Sequence, residues 1–219
     1  MKHPQEHTKT KILQTAGKLF NMYGFHGTSV REIAKDAHVN VSLISYYFGG
    51  KHSLLEKLMS AFWEGYLEVI ETSMNQLSTL NITDRLVTVA DRLLTYQSDN
   101  TFMARFVHRE MTTDSVLTRE LMTTYLMKEK YLYETIFAHA DSKNEMNAVF
   151  IDMVIMQFRE LINLPYMQSQ YIQKVHFFQL DSPYFRKQYL KAIRQWVEQT
   201  VSQSNDASSH AQRITSILS

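Results

Sequence analysis

TSVREIAKDAHVNVSLISYYFGGKHSLL, residues 28–55, is the stretch that decides the fold. Val30, Ile33, Ala34 and Ala37 recur at helical spacing and predict a short helix over VREIAKDA. Thr28 or Ser29 supplies a hydroxyl to cap it, with Arg31 and Glu32 in its first turn. His38-Val39-Asn40 reads as a tight connection, and VSLISYYF as a second short helix ended by Gly49-Gly50. Lys51 opens a longer helix with apolar positions at Leu54, Leu55, Leu58, Phe62, Tyr66 and Ile70. Upstream, residues 8–24 carry Ile12, Ala16, Leu19, Phe20 and Tyr23 on a helical face, with Gly24 as a natural stop.

Two short helices joined by a tight turn fit helix-turn-helix architecture. The second helix must enter a major groove, so its outer face needs small or polar side chains, which Val41, Ser42 and Ser45 supply. Ile33, Ala34, Val39 and Ile44 suit the contact between the two helices, and Ala37 has the small side chain a close approach requires. An ordinary three-helix cluster in a larger bundle carries the same apolar pattern. Charge adds a second signal. Residues 1–52 hold seven Lys/Arg against three acids, a net +4, while the remainder holds 16 against 19, a net −3. Five of the nine His also lie in that first segment. A basic end on a slightly acidic protein points to a polyanion contact, an uneven solvated surface being the alternative.

The same stretch resembles the DNA-binding signature of the TetR family. Thr28, Ile33, Ala34, Ala37, Val39, Ile44, Tyr47, Phe48, Lys51 and Leu54 match it, and the likeness covers about residues 8–55. Ser45 stands where the family usually has Tyr, and Ser42 where Gly is common, which leaves Tyr46 or Tyr47 to make the phosphate contact of that Tyr. The resemblance implies an all-α, TetR-like fold. A three-helix reading domain would occupy residues 1–52 and a larger helical dimerisation and regulatory domain residues 53–201. The Ser/Asn/Gln-rich 202–219 reads as a mobile tail. It also implies a cytoplasmic, nucleoid-associated homodimer on double-stranded DNA with an inverted repeat. Asn40, Val41, Ser42 and Ser45 are the candidates for base contact: Ser and Asn donate and accept hydrogen bonds, and Val can meet a thymine methyl. Thr28, Tyr46, Tyr47 and Lys51 are the candidates for phosphate contact, Lys51 because its charge sits beside the free N–H groups of a helix start.

Beyond residue 80 the pattern is helical throughout. Three Pro and six Gly are too few for the turns of a sheet protein. Helices are expected over 82–98, 100–112, 115–140, 145–164 and 182–201, with 165–183 as a partly ordered connection holding one short helix. The absence of Cys excludes disulfides and thiolate zinc sites. His108, His139 and His176 are too scattered to suggest a metal, and no cofactor is expected. The polar start has no signal-peptide core, and the longest apolar run, 148–158, is far short of the ~20 residues of a membrane span. No nucleophile–base pair or P-loop suggests an enzyme.

That run, AVFIDMVIMQF, is apolar almost all round a helix and has to be covered on both sides. A two-fold partner would do this through Phe150, Val154, Ile155 and Phe158, joined by Tyr189, Ile193, Trp196 and Val197 of the last helix. A central core helix is the alternative. The twelve Met, twelve Tyr and twelve Phe can line a pocket for a small ligand or simply fill the core. The segments VNVSLISYYFGGK, RFVHREMTTDSVLTREL, TYLMKEKY and LPYMQSQYI are further similar to a Bacillus branch of the family, the RefZ type. That likeness implies palindromic chromosomal sites and the division protein FtsZ as a partner, against the alternative of a ligand-responsive transcriptional repressor. Arg105, Arg109, Arg119 and Glu120 would then form a mixed-charge partner surface, or only a solvated face.

Overall fold

The computed structural model describes residues 4–76, 79–138 and 148–218. Their regular structure is helical: α1 Pro4–Tyr23, α2 Val30–Asp36, α3 Val41–Phe48, α4 Lys51–Gln76, α5 Ile82–Asp99, α6 Thr101–Glu110, α7 Val116–Leu121, a π-helical turn Met122–Leu126, α8 Met127–Ala138, α9 Ala148–Met167, α10 Ser169–Val175 and α11 Pro183–Leu218. His139 and the helical expectations for 139–140 and 145–147 lie outside the described residues. Contacts divide the chain into two compact units, residues 1–66 with 99–125 and residues 67–98 with 126–219. The division does not follow residue 52, because α4 runs on past it and residues 99–125 group with the N-terminal helices.

The core of the first unit is built by the residues whose spacing marked the helices. Ile12, Ala16, Phe20, Ile33, Ala37, Ile44, Leu54 and Leu58 are all fully buried. Phe20 meets Phe106 of α6 at 5.4 Å between ring centroids. A Cβ added at Gly17 would meet the Leu58 and Met103 side chains at ordinary van der Waals distance.

In the second unit, α8 and α9 pack through Tyr133 edge-on to Phe158 and through Arg159 bonded to the buried Glu129 at 2.9 Å. Two expectations change here. Pro165 does not end α9, which continues to Met167. A proline lacks the N–H that would bond the carbonyl four residues back, and that carbonyl, Leu161 O, instead accepts from the Tyr189 hydroxyl at 2.7 Å. Burial also pushes the Tyr189 hydroxyl well above its ordinary pKa, so it stays a donor. The single helix expected over 115–140 is divided by the π-helical turn. There the Thr123 hydroxyl donates to Arg119 O, a local bond that competes with regular helix. Residues 202–218, read from composition as a mobile tail, continue α11.

The turn between α1 and α2 is closed by a contact only glycine tolerates: a Cβ on Gly27 would lie 2.3 Å from the carbonyl oxygen of Tyr23. Gly27→Ala should therefore destabilise the protein by about 1–3 kcal/mol, the usual range for forced overpacking. The shift of the urea midpoint measures this; an unchanged midpoint would mean the turn opens freely.

Candidate nucleic-acid interface

The helix pair is held by a chain of backbone locks. Ser29 caps α2 by accepting from Glu32 N at 3.2 Å, while Glu32 Oε2 accepts from Ser29 N at 2.7 Å. That backbone bond, then the Ser29 hydroxyl, holds the Glu32 carboxyl below its ordinary pKa. The reciprocal cap is thus charged at neutral pH and weakens only in acid. Ala37 ends α2, and His38, at φ 50°, turns the chain sharply into α3. Asn40 caps α3: its Oδ1 accepts from Ser42 N at 2.9 Å and from the Ser42 hydroxyl at 2.8 Å. Gly49, left-handed at φ 76°, closes it.

These locks present one outer face of α3. Val41, Ser42, Ser45 and Tyr46 are exposed at i, i+1, i+4 and i+5, while Ile44 on the opposite side is fully buried. With Oδ1 engaged in the cap, Asn40 retains its amide N–H donors for a base edge. Tyr46 is 76% exposed, so the structure sets it beside the proposed base-reading residues rather than apart from them.

Thr28 and Lys51 are arranged differently from expectation. The Thr28 side chain is buried and its hydroxyl is directed at Gly24 O, 2.9 Å, and Leu19 O, 3.3 Å. It locks the turn and is not presented to a ligand. Its backbone carbonyl accepts from Lys51 Nζ at 2.8 Å, and that ammonium also sits 4.3 Å from the Phe25 ring centroid. Lys51 is thereby fixed at the start of α4 with two N–H donors to spare for an anion. Lys9 joins the site without any forewarning in the sequence. Its ammonium stands 5.6 Å over the half-buried Tyr47 ring, bringing a second cation to the end of α3. No sequence pattern links residues 9 and 47; only the packing of α1 does.

The remaining candidates are redistributed. Val154, Ile155, Phe158, Ile193 and Val197 are buried within the subunit. Trp196 is half-buried and stacks on Phe158, and Tyr189 is half-buried and bonded to Leu161 O. Of that set only Phe150 is exposed. Arg109 does not join a free patch: it donates to Phe20 O at 2.9 Å and Asn21 O at 3.3 Å, binding the last carbonyls of α1. Arg105 is half-buried on α6. Arg119 and Glu120 are exposed and line a shallow groove with Val116, Thr123 and Thr124. Among the described residues, no three His, Asp or Glu come together as metal ligands, and no helix is long and apolar enough to cross a membrane.

Comparison with known proteins agrees with this geometry. Residues 12–58 match the family described as bacterial regulatory proteins, tetR family. Over 190 residues, 87% of this chain and 92% of the relative, the chain is 45% identical to the probable HTH-type transcriptional regulator YttP of Bacillus subtilis. Two solved structures share the fold at 16% identity. A tetR-family regulatory protein from Rhodococcus RHA1 has a TM-score of 0.68 over 86% of this chain and 95% of its own. The regulator PfmR from Thermus thermophilus has a TM-score of 0.66 over 84% and 94%. These relatives are regulators and not enzymes.

Replacing Lys51 with Met should lower the salt slope by about 1, the signature of one lost phosphate contact, and should also lower the thermal midpoint, because the same ammonium is bonded to Thr28 O. Changes at Asn40 or Ser42 should instead alter sequence preference. Filter binding across a salt series checks both, and an unchanged slope would remove Lys51 from the phosphate contacts.

Proposed function

The chain belongs to the TetR family of bacterial regulatory proteins, and we propose that it is a homodimeric regulator reading an inverted repeat in double-stranded DNA. The observation that carries this is the outer face of α3: small or polar at Ser42 and Ser45, capped by Asn40, and flanked by the cations Lys9 and Lys51. A slim helix entering the major groove supplies base contacts, and the flanking cations supply the phosphate contacts that set its register. A two-fold dimer would set two such helices about 34–36 Å apart, one helical turn of DNA.

The dimer surface follows from what α9 leaves uncovered. Val149, Met153, Met156, Leu164 and Met167 are exposed at spacings of four, three, eight and three residues, a largely apolar stripe along one side of the helix in which the exposed Glu160, bridged to Arg159, fills the eight-residue gap. On α11 the exposed Tyr184, Gln188, Ala192, Gln195 and Gln199 form an uncharged stripe of the same pitch. Both suit a four-helix contact with a second copy. Val154, Ile155 and Phe158, expected at this contact from the sequence, are buried and form the inner face of the same helix.

A second reading concerns the remaining surface. The exposed Val116, 64%, and Met122, 39%, lie beside Arg119 and Glu120, a combination of apolar and paired charged groups suited to a protein contact. On the RefZ-type resemblance the partner is FtsZ, and the rival is a repressor released by a small ligand. Genome-wide mapping of bound DNA separates them. Sites clustered in particular chromosomal regions support the division role, and a site beside its own or a transporter gene supports the repressor.

Met156→Asp should leave the fold intact, because Met156 is 55% exposed, yet break the dimer, since an unpaired charge in an apolar interface costs several kcal/mol. Ile155→Asp should instead unfold the subunit. Sedimentation and thermal melting of the two variants distinguish these outcomes; a dimeric, well-folded Met156→Asp would reject the stripe.

The pair Arg119→Glu with Glu120→Arg should leave the dimer and DNA affinity unchanged. The exposed Arg119–Asp114 bridge contributes only ~0–1 kcal/mol. Partner binding should drop, since like charges then face each other across the contact. Pull-down with purified FtsZ and DNA binding on the same protein provide the readout, and full retention of FtsZ binding would exclude this surface.

A further inference from the structure

In the second unit, the segment that follows α9 carries apolar side chains its own unit leaves in water. Ile172 of α10 is buried, whereas Tyr171 and Val175 are exposed one turn apart, and the exposed Phe177 and Phe178 follow in the turn that leads to α11. Phe177 is 83% exposed and takes a left-handed backbone, φ 57°. Bulky side chains rarely adopt that conformation, and glycine is the usual residue just past a helix end. The turn is nevertheless fixed. Phe178 N donates to Ile172 O at 3.3 Å. The rings of Tyr171, His176, Phe178 and Phe185 follow one another at 5.1, 6.3 and 5.6 Å, which anchors the turn to α11. A defined backbone thus holds the Phe177 ring in solvent at a position where glycine would be the easier choice.

The charges that accompany this turn are mostly positive. From Leu161 to Ile193 the sequence holds Lys174, Arg186, Lys187 and Lys191 against one acid, Asp181. Arg186 is paired with Asp91 of α5. Lys174, Lys187 and Lys191 are exposed, and among the described residues none of the three forms an ion pair. No helix among the described residues is long and apolar enough to cross a membrane, so a lipid contact by this segment is peripheral. We propose that the turn between α10 and α11 docks on an anionic membrane surface, with Phe177 set at the headgroup level and Lys174, Lys187 and Lys191 beside the lipid phosphates. An apolar ring gains by leaving water at that level, and each lysine gains from the negative surface. A second copy applying the same patch would set lysine against lysine across a two-fold axis, which disfavours self-contact. The surface uses none of the DNA-reading residues, so its test stands apart from the DNA-binding proposal.

The test is co-sedimentation of the full chain with vesicles of phosphatidylcholine, alone or with about one third phosphatidylglycerol. The mixed vesicles should bind roughly tenfold more tightly than phosphatidylcholine alone, and added salt should weaken them. Phe177→Gly should lower that affinity by roughly tenfold while leaving the thermal midpoint unchanged or raised, because glycine adopts the left-handed backbone freely. Phe177→Trp should retain binding, and its added fluorescence should shift to the blue on the mixed vesicles. Lys174→Glu with Lys187→Glu and Lys191→Glu should abolish binding. Failure to co-sediment, equal binding to the two vesicle types, or full binding by Phe177→Gly would overturn the proposal. So would displacement from the vesicles by duplex DNA, which would place the contact on the reading helices. Tighter binding to polyglutamate would assign the lysines to an acidic protein instead, and loss of the dimer in Phe177→Gly would assign the ring to a second copy.

Discussion

A single ammonium holds the reading end of the molecule together. Lys51 Nζ is set between the carbonyl of Thr28, 2.8 Å away, and the face of Phe25, 4.3 Å from its centroid. It thus joins the first residue of α4 to the turn in front of α2, across 23 positions of sequence. A hydrogen bond from a charged donor contributes about 1.5–3 kcal/mol, and a cation on an aromatic face adds about 0.5–2 kcal/mol. The turn around that tie is closely packed. It leaves no room for a Cβ on Gly27 beside the Tyr23 carbonyl, and the Thr28 hydroxyl is directed back to Gly24 O and Leu19 O. The orientation of α2, and through the Ala37-His38 turn of α3, follows from this closure. The group that steadies the helices is also the one proposed for phosphate contact, so on that proposal stability and DNA contact are linked at the same atom.

A similar economy appears on the α6 side of the same end of α1. Among its last carbonyls, Phe20 O already accepts from Gly24 N at 2.9 Å, and Arg109 of α6 donates to it and to Asn21 O. The Phe20–Phe106 contact one turn earlier completes the joint. In consequence α6 is part of the same compact unit as the helix pair, although about fifty residues separate it in sequence from the end of α3.

In the second unit the decisive feature is a helix with two apolar faces. The inner face of α9, Val154, Ile155, Phe158 and Ile162, is buried against its own subunit. The outer face keeps Val149, Met153, Met156, Leu164 and Met167 in solvent. Three of those five are methionines, flexible side chains that fit an imperfectly complementary surface. The helix stays continuous through Pro165 because Tyr189 of α11 takes the carbonyl that the proline leaves unbonded. The covering helix therefore repairs the helix it covers.

By itself the sequence determined the helical class, the three-helix reading end, the boundaries of α2 and α3 and the outer residues Val41, Ser42 and Ser45. All of these follow from local signals: apolar spacing of three and four residues, a capping serine and asparagine, and glycine after the last turn. It also determined that 148–158 must be apolar on both sides, but not which residue lies on which. Only the tertiary structure decided that Ile155 and Phe158 face inward and Met153 and Met156 outward. It alone removed Thr28 and Arg109 from the exposed candidates, brought Lys9 to Tyr47 and carried α9 past Pro165. Thr28 turns back onto the nearby Gly24 and Leu19 carbonyls, but in the other cases the partner lies far away in sequence: Phe20 for Arg109, Tyr47 for Lys9, Tyr189 for Leu161. Periodicity reports which face of a helix is apolar. It carries no information about which distant donor, acceptor or ring will meet that face, because that is set by how the helices pack.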